Sequence, residues 1–495
     1  MRKEARTEVK ETSMTKITEF KFIPTTETST PFAAAADKCD FDKIGYIEDE
    51  YFQTGTANVY DEDAEHNVFP ICEDAPYTTR VIIRRPADVT KFSGNVVLEI
   101  LNSSANIDID RMWVNSWPFF TRNGDIFIGI SSKGHIVDSL KGFDPERYAA
   151  INWDNPMPER PVPEEVKAGR MRYLPQYELG LFWDMLLDLA KLLRTDCEMN
   201  PIREYGKFWL YLTGWSQSTS YVNRIVRCFA KGENACLFDG YYNGGGGAGL
   251  APLSNSQPFR LGSPEPQSGI NGAPQPFMAV NTESENRGSF WYGDFDEPEF
   301  KFRTWQIAGS SHDSKYNLVD YYGEKDLKML EGLGIYNAFY GVDGEALDAP
   351  YEPVFSAAWK ALYAWVRNGI PAPHAPKIET TTSFTPSQAI GVVYATNNTD
   401  AFGNCRGSIR IPYVVYPTAR ISSFSTTKEG RVNGAFGKVN PFSAAMLKEL
   451  YGDIEHYTEL VNKEYDRLVA QGFLLEEDRE ANLAHTIKCA KERGL

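Results

Sequence analysis

The stretch "LYLTGWSQSTSYVNRIV", Leu210 to Val226, passes from a β-prone run into a helical pattern with no room for a loop. The residues before Gly214 are large and strand-forming. After Ser218, apolar side chains at Tyr221, Val222, Ile225, Val226 and Phe229 repeat at helical spacing. So abrupt a junction forces its central residue, Ser216, into a cramped backbone conformation, tolerable only if the residues two before and two after it are small. Gly214 and Ser218 meet that requirement. The pattern is that of a nucleophile elbow, G-x-S-x-G with serine in the last place, which lifts a serine hydroxyl above the end of a sheet. Taken alone, the pentapeptide reads equally well as a serine capping an ordinary helix; the rest of the chain decides.

At 495 residues the chain can hold a large α/β core with insertions. Apolar residues make up 42% and aromatics 13%, too much for a disordered protein. A net charge of -16 repels nucleic acid and anionic membrane surfaces, which favours a small-molecule substrate over either as a partner. Seven cysteines, scattered and without Cys-x-x-Cys spacing, argue against a disulfide framework or a zinc site. The N-terminus "MRKEARTEVKETSMTKITEF" has mixed charges and no apolar core, so neither a signal peptide nor an anchor is expected, and a cytoplasmic location is.

Eight short β-prone runs recur, at 45–52, 78–86, 95–101, 125–131, 207–213, 236–242, 276–282 and 302–309, with helical patterns between several of them. Strands alternating with helices, the later strands nearly continuous in apolar residues, predict a mostly parallel sheet covered on both faces. The expected organisation is a tail and lead-in over 1–44, a core over 45–315, and helices with a cap or flanking segment over 316–495. The Gly/Pro/Ser-rich segment 243–274 has no Gly-Lys-Ser/Thr after its glycines and reads as a mobile loop rather than a phosphate cradle.

A serine nucleophile needs a base, and the chain has only six histidines. The eighth run, "TWQIAGSSHDSKY", ends in a small-residue turn that delivers His312. His66, His374, His456 and His485 sit in charged, Pro-rich or helical surroundings, and His135 is a further candidate for the pocket. The base in turn needs a carboxylate. The seventh run ends "PFMAVNTESENRG", which offers Glu285 and Glu283, and Asp239 in "LFDGYY" is a third candidate. For the oxyanion, Gln217 supplies one backbone N–H. A second is expected from "LNSSAN" (101–106), around Asn102, Ser103 and Ser104. The aromatic segments "YYNGGGG" and "GSFWYGDF" could line a pocket or simply pack.

The blocks "EDEYFQTGTANVY", "YTTRVIIRRPADVTKFSGNVVLEILN", "KGFDPERYAAINWDNP", "GWSQSTSYVN", "AGSSHDSKY" and "DAFGNCRGSIRIPYVVYP" resemble, in this order, those of the alpha/beta-hydrolase-domain family, whose members look like serine esterases. The likeness runs from about Ile47 to the C-terminal helices and includes the Ser-Gln-Ser elbow. Where the family often has Glu-x-Asp after the seventh strand, this chain has Glu283-Ser284-Glu285. The order serine, acid, histidine is also that of α/β-hydrolases. The resemblance implies an α/β-hydrolase fold of about eight mostly parallel strands and ester hydrolysis on Ser216 without cofactor or metal. Two rivals share the same residues: an acyltransferase with an alcohol or amine acceptor, and a catalytically silent binding protein of this fold.

Overall fold

The computed structural model describes residues 15–35, 38–63, 67–104, 107–167, 173–258, 274–287, 294–322, 344–386, 393–426, 432–433 and 435–495. The expected tail, up to about Met14, lies outside them. All eight β-prone runs enter one ten-stranded sheet. Its strands are β1 (Ile17–Ile23), β2 (Tyr46–Glu62), β3 (Val68–Pro86), β4 (Asn95–Ile100), β5 (Ile126–Ile130), β6 (Trp209–Trp215), β7 (Gly240–Gly244), β8 (Phe277–Thr282), β9 (Phe295–Glu297) and β10 (Phe300–Ile307). They lie in the order β1-β2-β3-β5-β4-β6-β7-β8-β10-β9. From β5 to β10 every pairing is parallel. The three pairings on the β1 side and the one between β10 and β9 are antiparallel.

The near-continuous apolar runs are explained by cover on both faces. Every residue of β4, β5, β7 and β8 is buried. On one face the helices Arg111–Asn123 and Pro353–Asn368 meet through Phe120 and Trp359, whose rings are 5.5 Å apart. On the other, Phe182–Arg194 and Thr219–Arg224 meet through Trp183 and Tyr221, stacked at 5.2 Å.

The structure departs from the expected count of eight in its edges. β1 lies inside the expected lead-in and pairs antiparallel with β2, while β9 is only three residues long. Strands of this kind leave a weak period in sequence because an edge buries little. The helical pattern over 443–472 is two helices, Ala444–Tyr451 and Ile454–Gln471, broken at Gly452 (φ 76°), with Asp453 capping the second. A further helix, Glu476–Glu492, went unpredicted because it buries Asp478, Asn482, Thr486, Cys489 and Ala490, which form no apolar stripe. Among the described residues no helix is long and apolar enough to cross a membrane.

The segment after residue 371 packs on the sheet's far edge. Phe473 meets Trp305 of β10 edge-on at 5.0 Å, and Trp305 donates its indole N–H to Pro373 O at 2.8 Å. The Ile409 backbone bonds to Gln306 O and Ala308 N.

Candidate active site

Ser216 follows the last residue of β6 and opens a single turn, 216–218, that runs directly into the helix Thr219–Arg224. Its φ is +56°, the left-handed region that non-glycine residues occupy at a cost of about 1–2 kcal/mol. The elbow is tight enough that a Cβ on Gly214 would lie 2.9 Å from the Ser218 backbone. Ser216 and Gln217 keep partial exposure while their neighbours on both sides are buried.

The glycines at 244–246 are not a mobile loop. They end β7 against the elbow, where a Cβ on Gly245 would meet the Trp215 ring at 2.6 Å and one on Gly246 would meet Thr219 Oγ1 at 2.2 Å. Close backbone approach, rather than flexibility, is what these glycines provide. Residues 259–273 of that segment lie outside the described residues, as do 288–293 of the aromatic run and His66.

His312 sits beyond the end of β10, on a turn held by Ser310 and Ser311. Its Nδ1–H donates to Glu285 Oε1 at 2.7 Å. Glu285 is fixed in turn: its Oε2 accepts from Thr282 N at 2.7 Å and Thr282 Oγ1 at 2.6 Å. The imidazole packs on the Trp215 ring, centroids 5.2 Å apart, which sets His312 beside the residue that precedes Ser216. Burial disfavours the imidazolium, but the hydrogen bond to Glu285 and its charge outweigh burial; Asp313 adds to them and Arg111 opposes. The net effect holds the His312 pKa above its ordinary value of 6.5.

Of the three candidate acids, the structure brings only Glu285 to His312. Glu283 faces the other way: its Oε2 accepts from Gly309 N at 2.7 Å and its Oε1 from Ser423 Oγ at 3.3 Å, tying the histidine turn to the C-terminal segment. Asp239 immediately precedes β7, so it stands at the N-terminal end of a parallel sheet, whereas Ser216 follows a C-terminal end. There it accepts from Arg194 Nη2 at 2.7 Å and Leu210 N at 2.9 Å. The run 236–242 is not strand throughout: β7 begins only at Gly240, which places Asp239 before the strand and not near its end.

The loop after β4 abuts the elbow through Asn102, whose Nδ2 donates to Trp215 O at 2.8 Å. Its Oδ1 accepts from Ser104 N at 2.9 Å and Ser104 Oγ at 2.6 Å, and its backbone exchanges two hydrogen bonds with Ile109. The N–H groups of Asn102 and Ser104 are thus both engaged inside the loop. The Asn102 carbonyl accepts from Ile109 N at 2.7 Å, so in a trans peptide the Ser103 N–H points the opposite way. Ser103 Oγ is buried without a hydrogen-bond partner among the described residues. From below, His135 Nε2 donates to Ser103 O at 2.8 Å, and Ser132 Oγ to Leu101 O at 2.6 Å. Lys133, wholly buried, donates to Ser132 Oγ at 2.8 Å and lies 4.5 Å from the Tyr221 ring centroid; burial pulls its pKa down to about 7.

Sequence reasoning missed the residues that hold these loops. Arg80 and Arg84 of β3 are buried and pair with Asp108 and Asp110, which follow the Asn102 turn, as well as with Glu50 and Glu48 of β2. Arg111 donates to Asp313 Oδ1 at 2.7 Å and to Asn317. The signal available was "RVIIRRP" itself, since arginines inside a buried strand demand partners.

Asp348, His485 and Cys489 bring potential ligand atoms within 4.8 Å of one another. Their donors and acceptors are already matched: His485 Nε2 donates to Asp348 O at 2.8 Å, Cys489 S–H to Asp348 Oδ2 at 3.4 Å, and Arg493 pairs with the same carboxylate at 3.1 Å. Burial pushes the Cys489 thiol up to about 12. These contacts make the group an interlocked hydrogen-bond cluster.

A family model described as an alpha/beta hydrolase domain matches residues 18–484. No curated protein matches the chain. Among solved structures, a cold-adapted esterase from an Arctic intertidal metagenomic library is 12% identical, covering 47% of this chain and 72% of its own, with a TM-score of 0.22. The siderophore hydrolase EstA from Aspergillus nidulans is 13% identical, covering 55% of this chain and 78% of its own, with a TM-score of 0.26. Likeness at this level is partial, and assignment to a family stands on the family model alone.

Proposed function

The chain belongs to the alpha/beta hydrolase domain family, and from that premise we propose that it is a serine hydrolase that cleaves carboxylic esters through an acyl-enzyme on Ser216. The observation that carries this reading is the Glu285–His312 hydrogen bond of 2.7 Å, with the same imidazole packed on Trp215, next to a serine strained to φ +56° at a strand end.

In the proposed reaction, Ser216 Oγ attacks the ester carbonyl carbon while its proton passes to His312 Nε2. Glu285 keeps the proton of His312 on Nδ1 and stabilises the imidazolium. The negative oxygen of the tetrahedral intermediate accepts from Gln217 N–H at the head of the elbow helix and from the Ser103 N–H, since those of Asn102 and Ser104 are engaged within the loop. Asn102 acts by fastening that turn to Trp215 O. Collapse expels the alkoxide, which takes the proton from His312 Nε2. Water then repeats the sequence on the acyl-enzyme, regenerating Ser216 and releasing the carboxylic acid.

A fluorophosphonate probe, followed by peptide mass spectrometry, tests this directly. Covalent label on Ser216, together with turnover of p-nitrophenyl esters, is the expected result. Absence of label on a folded chain would leave the hydrolase fold without this chemistry. Product partitioning with an added alcohol measures how much acyl group goes to an acceptor other than water.

A further inference from the structure

Lys133 is wholly buried, a rare place for an ammonium group, since an apolar side chain of similar length would fill the space without desolvating a charge. Its contacts run to two sides of the proposed site. Nζ donates to Ser132 Oγ at 2.8 Å, and Ser132 Oγ donates in turn to the carbonyl of Leu101, the first residue after β4, at 2.6 Å. The same Nζ stands 4.5 Å from the ring centroid of Tyr221, which belongs to the elbow helix Thr219–Arg224. That ring is itself fixed, stacked on Trp183 at 5.2 Å and met edge-on by Phe182 at 5.4 Å. Burial disfavours the charged form of Lys133, while the Asp108 carboxylate, in the stretch that closes the Asn102 turn, favours it.

The two ends of this path carry the two proposed oxyanion donors. Gln217 N–H stands one helical turn before Tyr221, and Ser103 N–H two residues beyond Leu101. Two donors serve one oxyanion only while their spacing is fixed, because each must lie about 2.7–3.1 Å from the position where the charge develops. Asn102 fastens the turn to Trp215, on the strand side of Ser216. On the helix side, Ser218 Oγ reaches Leu101 O at 3.3 Å, long for a hydroxyl donor, and the shorter hydrogen bond to that carbonyl is the one that leads through Ser132 to Lys133.

We propose that Lys133 is a positioning residue for the oxyanion hole: its ammonium, seated between Ser132 and the Tyr221 ring, holds the 101–104 turn at a set distance from the elbow helix. The assignment rests on the Ser216 hydrolase reading and deepens it. Lys133 touches no reacting atom and acts through Ser132 and Tyr221.

The test is steady-state kinetics of the full chain on p-nitrophenyl butyrate, beside inhibition by trifluoromethyl propyl ketone. On that ketone Ser216 Oγ adds to the carbonyl carbon, its proton passes to His312, and the carbonyl oxygen becomes an alkoxide in the oxyanion hole, so the Ki reads the hole directly. Lys133→Met keeps the length and apolar volume while removing the charge and the donors. It is expected to lower kcat by about ten- to a hundredfold with KM changed by less than about twofold, and to raise the ketone's Ki by the factor that kcat/KM loses. Ser132→Ala cuts the path at its other link by removing one hydroxyl, and should move kcat and Ki in the same directions. In the double variant the loss should stay near that of Lys133→Met alone, since one path is broken twice. Melting curves check each fold, and Ser132→Ala carries the test if Lys133→Met does not fold. Native kcat and Ki in a folded Lys133→Met, a loss confined to KM or to the melting temperature, or losses that multiply in the double variant would overturn the assignment. A native chain with neither turnover nor inhibition would refute the Ser216 reading itself, and this inference with it.

Discussion

Arg111 Nη2 donates to Asp313 Oδ1 at 2.7 Å, joining the first residue of the helix behind the Asn102 loop to the immediate neighbour of His312. The same guanidinium donates to Asn317, and Ser314 donates to Glu352 Oε1 at 2.6 Å, so the turn that carries the imidazole is held from two helices at once. The Asn102 loop and the histidine turn are therefore parts of one clamped unit rather than two independent loops.

For the native chain, the acid limb of the kcat/KM profile is expected above pH 6.5. His312 must be neutral to act as base, and its pKa is raised, so it becomes protonated sooner as pH falls and activity is lost from a higher pH than an isolated histidine would give. An acid limb centred below 6.5 would show that the Glu285–His312 pair does not govern turnover.

Arg111 separates charge from geometry. The charged groups acting on His312 are Glu285, Asp313 and Arg111, and only Arg111 lowers its pKa. Arg111→Gln should therefore move the acid limb to still higher pH as well as reduce kcat. Arg111→Lys keeps the charge but cannot span both Asp313 and Asn317, so the limb should stay in place while kcat falls, by up to about a hundredfold if the imidazole shifts by 1 Å. A limb that does not move in Arg111→Gln would reduce Arg111 to a packing role.

Amide replacement of the three candidate acids should give three different results. Glu285→Gln favours the wrong tautomer of His312 and is expected to lower kcat by about 10³–10⁴. Glu283→Gln disturbs the Gly309 and Ser423 contacts and should lower the melting temperature more than the turnover. Asp239→Asn loosens the Arg194 pair at the opposite end of the sheet and should leave kcat/KM nearly unchanged. Turnover by Glu285→Gln at the native rate would refute the assignment of the acid.

At the elbow, Ser216→Ala should abolish probe labelling and turnover with the fold intact, since only a hydroxyl is removed. Gly214→Ala should lose activity for a different reason, because its methyl would lie 2.9 Å from backbone atoms of Ser218. Circular dichroism distinguishes the two: unchanged melting in the first, a lowered transition in the second.

The C-terminal segment should be integral to stability. Phe473 is buried edge-on against Trp305 of β10, and Phe473→Ala is expected to cost about 3–5 kcal/mol, read from denaturant unfolding. An unchanged midpoint would mean the segment contributes little to the sheet's stability.

What the sequence by itself determined was whatever depends on local spacing and chain order. Eight of the ten strands of the main sheet, the abrupt junction at Ser216 and the positions of His312 and the Glu283–Glu285 pair were legible, because a buried strand or an elbow imposes a short-range pattern on the residues that form it. Tertiary structure decided everything that required knowing direction and neighbours. Glu283 and Glu285 differ by two positions and one residue type of context, yet only the fold turns one toward His312 and the other toward Ser423. Asp239 is adjacent to a strand in sequence, but which end of the strand it occupies depends on where pairing begins. The glycines at 244–246 looked like slack until Trp215 and Thr219 were seen to fill the space their side chains would need. Arg111 and Asp313 are 202 residues apart. A contact over that separation leaves no periodic trace, since side-chain partnership is set by the path of the whole chain and not by the residues on either side.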